Sequence, residues 1–149
     1  MTPTITASDE VVTFRLGNQW FGVPVLHVQE VIRHQRIARV PLTAPGVAGL
    51  LNLRGQIVTA IDLHDRLKIS RGTSESLMNV VVRDGDELFA IIVDEVGDVA
   101  AVLPDALEPL PTGLDGAWAR VCTGVVRMDQ ALLAVINVTR LLDESNTRP

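Results

Sequence analysis

The chain is short of several things. Cys122 is its only cysteine, so no internal disulfide forms and no thiolate cluster can be built. That usage fits a reducing, cytoplasmic setting. There is no tyrosine, and aromatics make up 3% of the residues. Valine, leucine and isoleucine must therefore fill the core, and this β-branched bias favours strands. No uncharged apolar run approaches the roughly 20 residues of a membrane span. The opening MTPTITASDE has neither the basic start nor the apolar stretch of a signal peptide. Positive charge is in deficit: the net charge is −5, which disfavours a nucleic-acid partner. Arg33, His34, Arg36 and Arg39 lie close together but read as loop charges in solvent.

Patterns of catalysis are missing too. His27, His34 and His64 are scattered, and no pair has the spacing of a helical metal site. DLHD (62–65) sets His64 between two carboxylates, yet neighbours on a strand point to opposite faces. DEVGD (94–98) lacks calcium-loop spacing and reads as a solvated turn. No glycine-rich phosphate loop occurs. Nothing here points to an enzyme, a metal or a cofactor.

What the chain does have is a 47% hydrophobic content, enough for a sizeable core, and an internal repeat. GLLNLRGQIVTAIDLHDRL (49–67) aligns without a gap on GVVRMDQALLAVINVTRLL (124–142). WFGVPVLHVQEV (20–31) aligns likewise on LFAIIVDEVGDV (88–99). Two matches in the same order indicate a structural duplication. Each half reads as strand, turn, strand, short helical piece, strand, loop, strand, turn, strand. Val12, Phe14 and Leu16 alternate with Val11, Thr13 and Arg15, as in a half-buried strand. The polar stretch KISRGTSES (68–76) separates the halves as a surface loop. Five short strands can close into a small barrel without exposed edges. The expected fold is all-β, two tandem five-stranded barrels with short helical segments. The first spans about 10–67 and the second about 77–143, with tails at 1–9 and 144–149.

Between two apolar runs stands NLRG (52–55). Burying an unpaired arginine costs several kcal/mol. Gly55 accepts a positive φ, so the four residues read as a hairpin tip that presents Arg54 to solvent or to a partner. In the second half the tip reads RMDQ, with Asp129 facing Arg54 and Gln130 facing Gly55 in the alignment.

FGVPVLHVQEVIR, VPLTAPGVAGLLNLRGQIVTAIDL, LFAIIVDEVGDV and TGVVRMDQALLAVINVTRLL together resemble the CheW family of chemotaxis coupling proteins. The resemblance covers residues 10–143. It implies two SH3-like barrels, no catalytic activity and no cofactor. It implies a scaffold linking methyl-accepting chemoreceptors to the regulatory domain of the histidine kinase CheA, working in the cytoplasm beneath membrane receptor arrays. Matched onto this chain, receptor contact falls to Val28, Glu30, Gly49 and Arg54, with Asn52 and Gly55 shaping the tip. Val28 would offer an apolar contact to a helical receptor tip, and Glu30 and Arg54 would pair with its charges. Thr59 stands where many members carry proline. Small barrels host many functions, so a ligand- or nucleic-acid-binding module is the alternative. It would need stacking aromatics and a basic groove, which Trp20, Trp118 and the net charge do not favour.

Overall fold

The computed structural model describes residues 9–39, 46–70, 76–114, 116–128 and 131–144. The RMDQ tip at Asp129 and Gln130, most of the 68–76 connector and nearly all of both tails fall outside these. The first half runs β1 (Asp9–Leu16), β2 (Gln19–Pro24), a 3₁₀ turn (Val25–His27), β3 (Val28–Arg33), β4 (Val47–Leu53), β5 (Gln56–Ile61) and α1 (Leu63–Leu67). The second runs β6 (Met78–Asp84), β7 (Glu87–Val93), β8 (Glu95–Val102), a 3₁₀ turn (Pro104–Ala106), β9 (Leu107–Glu108), α2 (Gly116–Val121), β10 (Cys122–Met128), β11 (Ala131–Ile136) and α3 (Val138–Glu144).

The order of elements repeats, but the pairing crosses over. One sheet runs β3-β6-β7-β5-β4 and the other β8-β1-β2-β11-β10-β9. Each half thus lends its opening hairpin to the other half's sheet. The linking ladders are parallel and equivalent: Ala60 pairs with Ala90 on one side, Val135 with Gly22 on the other. A boundary near residues 67–77 separates the repeats; it does not separate the sheets.

Each sheet curls until its ends meet. The chain leaving β3 returns to β4, where Ala38 and Leu50 exchange backbone bonds of 2.7 and 2.9 Å. In the second half β9 makes the same return, with Glu108 opposite Val125. At both places the hairpin strand carries a bulge at a glycine, Gly49 or Gly124. A Cβ on Gly49 would stand 2.4 Å from the Ala38 carbonyl oxygen, and one on Gly124 would stand 2.5 Å from that of Glu108. The glycines let the strand ends close.

Crossed pairing buries strands on two faces. Val12, Phe14 and Leu16 enter a large core shared by both sheets, with Phe21, Val80, Val82 and Phe89. Val11 points the other way, into a small cluster with Val126, Leu133 and Val135. Val81 likewise joins Leu51, Val58 and Ala90 inside the first sheet's curl. β1 is therefore not half-buried as its alternation predicts: Val11 and Thr13 are buried as well. All three phenylalanines sit in the shared core, and Phe21 stacks on Phe14 at 5.6 Å. The three phenylalanines are spent where the two sheets meet.

Both halves end in a helix that the strand pattern of IDL and INV does not predict. Asp62 caps α1 by accepting from the Asp65 N–H at 3.2 Å. Asn137 caps α3 by accepting from the Arg140 N–H at 3.0 Å. A short oxygen-bearing side chain ahead of an apolar turn is a helix-start signal.

Candidate functional site

The β4–β5 hairpin turns through two residues, Arg54 and Gly55, because Leu53 pairs with Gln56. Both have positive φ, 51° and 87°, the combination of a tight type I′ turn. Gly55 adopts it freely; Arg54 does so against steric resistance. Asn52 steadies the tip, its Oδ1 accepting from the Gly55 N–H at 2.8 Å. The turn also resets the pleat. Leu51 and Val58 face inward, whereas Asn52 and Ile57 face out, leaving Ile57 61% exposed.

Arg54 is not presented empty-handed. Its guanidinium reaches β3 and donates through Nη1 and Nη2 to both carboxylate oxygens of Glu30. The Glu30 contact raises the Arg54 pKa further above its ordinary value. β3 and β4 are the two ends of their sheet, so this fork-to-fork pair latches the barrel seam. Sequence reasoning assigned both charges to a partner; the structure first assigns them to each other.

The other expected residues divide by role. Val28 begins β3, half-buried, with its side chain against the shared core. Gly49 lies at the bulge beneath Ala38, a backbone task that Gly124 repeats. Glu30, Asn52, Arg54 and Gly55 gather at the seam; Gly49 sits further down β4. Leu26, on the 3₁₀ turn before β3, is 96% exposed. The sequence pattern carries no signal of its exposure.

A second constellation brings together DLHD and DEVGD. His64 lies on α1, not on a strand, and its Nε2 donates to Asp94 Oδ2 at 2.9 Å. The Gly17 N–H donates to the same oxygen at 2.6 Å. Asp94 is buried rather than solvated. Burial pushes its carboxyl up, but the Gly17 N–H, His64 and Arg15 outweigh that and hold it below the ordinary range. The trio ties the β1–β2 turn, α1 and the β7–β8 bend into one buried knot. Cys122 is no nucleophile, because burial pushes its thiol up to about 12. Among the described residues no histidine, cysteine or carboxylate group of three or more could hold a metal. No helix there is long and apolar enough to cross a membrane.

Residues 10–146 match the CheW-like domain family. The chain belongs to the CheW family. It is 30% identical over 137 residues to the chemotaxis protein CheW of Treponema pallidum, covering 89% of this chain and 81% of that protein. It is 31% identical over 140 residues to CheW of Klebsiella aerogenes, covering 92% and 83%. A protein named PilI from Pseudomonas aeruginosa is 28% identical over 80% of this chain and 68% of its own. In fold, the chain matches the crystal structure of the scaffolding protein TtCheW from Thermoanaerobacter tengcongensis. The TM-score is 0.78 at 26% identity, with 92% of this chain and 87% of that one aligned. The fold is thus the paired SH3-like barrel of CheW, as the sequence predicts. Its family is one of non-catalytic chemotaxis scaffolds.

Proposed function

We propose that this chain couples methyl-accepting chemoreceptors to the histidine kinase CheA, binding the receptor's cytoplasmic tip at the latched seam of the first barrel. The observation that carries this is the Arg54–Glu30 pair. It holds two charges at fixed spacing on an exposed tip, next to the uncovered side chain of Ile57. A rigid charged fork beside apolar surface suits the face of an amphipathic receptor helix. Val28, Glu30, Asn52, Arg54 and Gly55 form the contact surface, and Gly49 holds the β4 bulge that supports it. The regulatory domain of CheA docks elsewhere on the barrels, and the protein works in the cytoplasm under the receptor array.

Pull-down with a receptor tip fragment and with CheA tests this. Wild-type protein captures both. Arg54→Glu and Glu30→Arg each lose receptor capture and keep CheA capture. The double exchange rebuilds the internal pair with reversed polarity, so it folds as well as wild type and still fails to capture receptor. Recovery of receptor capture by the double exchange would reduce the pair to a structural latch. A folded wild-type protein that captures neither partner overturns the proposal.

A further inference from the structure

The segment that returns from β3 to β4 carries a row of arginines that the fold does not ask for. Residues 33–39 read RHQRIAR, three arginines in seven residues, and no acidic residue occurs between Glu30 and Asp62. In the second half the segment that makes the same return, 102–108, reads VLPDALE and carries Asp105 and Glu108 instead. Both segments close their sheet against a bulged glycine, Ala38 over Gly49 and Glu108 over Gly124. Closure therefore needs no arginine.

In sequence Arg33, Arg36 and Arg39 read as loop charges; the structure gives them a fixed backing. The His34 N–H donates to the Leu77 carbonyl at 3.0 Å, and Ala38 exchanges backbone bonds with Leu50. Asn79 is buried behind them. Its amide N–H donates to His34 Nδ1 at 2.8 Å, and its oxygen accepts from the Gln35 N–H at 3.3 Å. Ile32 and Ile37 turn inward onto the cluster of Leu51, Val58 and Ala90. What remains outside is cationic: Arg33, Arg36 and Arg39 are all exposed. Among the described residues none of the three pairs with a carboxylate. Asp62 and Asp65 line the same hollow as Arg39. They are taken up by the α1 cap and by the Gly46 N–H.

We propose that this row binds an acidic segment of a partner protein, whose spaced carboxylates meet Arg33, Arg36 and Arg39 in turn. A guanidinium fork suits a carboxylate better than a lysine would. At strand rise the row spans about 20 Å, the reach of roughly seven extended residues. Other polyanions fit it less well. The net charge of −5 repels a long polyanion such as a nucleic acid, and the row has no tryptophan or phenylalanine to stack on bases. With Ile32 and Ile37 turned inward, it offers no apolar side chain to a membrane.

The test is a ¹⁵N-resolved NMR titration of the full chain with two end-blocked peptides of identical composition. ESAESAE carries a carboxylate at every third residue; EEESASA carries them all at one end. Saturable shifts at the Arg36, Ala38 and Arg39 amides are expected, with the spaced peptide bound about threefold tighter or more. Arg36→Gln with Arg39→Gln weakens that binding about tenfold, the scale of two exposed charge-assisted forks. Arg36→Lys with Arg39→Lys falls between, because lysine keeps the charge and loses the fork. Equal affinity for the two peptides overturns the proposal, as does an unshifted row or undiminished binding by the folded glutamine variant. An oligothymidylate or phosphatidylglycerol vesicles that bind this row more tightly than the spaced peptide overturn it in favour of that polyanion. Self-association in sedimentation that the glutamine variant abolishes overturns it in favour of a second copy. Receptor capture at Arg54 and Glu30 is independent of this row, and failure of either leaves the other standing.

Discussion

The two halves of this molecule solve one structural problem and then part company. Both close a small barrel by a return strand over a bulged glycine, and both pass their opening hairpin to the other sheet. They differ at two equivalent places. The first seam is latched by Arg54 and Glu30; in the second, no cation among the described residues pairs with Asp98, the counterpart of Glu30. After the opening hairpin, Leu26 points into solvent in one half, whereas Asp94 turns inward to Gly17 and His64 in the other. Framework positions keep the same environment, and the differences lie at the seams and at the bend after the opening hairpin, exposed at Leu26 and buried at Asp94.

The shared framework is the most costly thing to break. Phe21 and Phe89 are equivalent and buried in the common core, so Phe21→Ala and Phe89→Ala should each lose about 4 kcal/mol by urea denaturation. Unequal losses, one near zero, would show that the core is not shared. The buried knot belongs to one side only. His64→Leu leaves the Asp94 carboxylate buried without its histidine and should cost about 3 kcal/mol, while Thr139→Leu at the equivalent position should cost far less.

The same variant sharpens the comparison in acid. The folded Asp94 carboxyl titrates below its ordinary 3.8, so its contribution is complete above that value and is lost as pH falls through the lower folded one. Wild type should lose stability as pH falls below 3.8 more steeply than His64→Leu in calorimetric scans. The bulge glycines come next. Gly49→Ala and Gly124→Ala should both cost about 2 kcal/mol, because each added methyl meets a backbone carbonyl. Gly55→Ala meets nothing within 4 Å and loses only through its positive φ, about 1 kcal/mol. A Gly124 variant as stable as wild type would deny that the two bulges do the same work.

Much of this was legible in the residues. The repeat set the element order, and Gly55 located a turn. Capping signals at Asp62 and Asn137 were present but were read as strand. Exchange of hairpins was not legible, because apolar alternation records which face a residue takes and not which strand lies beside it. The Arg54–Glu30 pair spans 24 residues and the Gly17–Asp94 bond spans 77. Local pattern cannot see such contacts, so Asp94 looked solvated and Arg54 looked unengaged.

The crossed hairpins also bear on ancestry and assembly. A chain of half this length, carrying one repeat, could complete neither sheet from its own strands. It would be satisfied by trading hairpins with an identical copy, as a domain-swapped dimer with an isologous interface. The present molecule is such a dimer tied into one chain by the 68–76 connector. Covalent linkage makes the pairing independent of concentration, and it lets each repeat carry its own surface residues. Within one chain, the Arg54–Glu30 latch of the first seam carries no obligation to recur in the second, where Asp129 stands in place of the arginine.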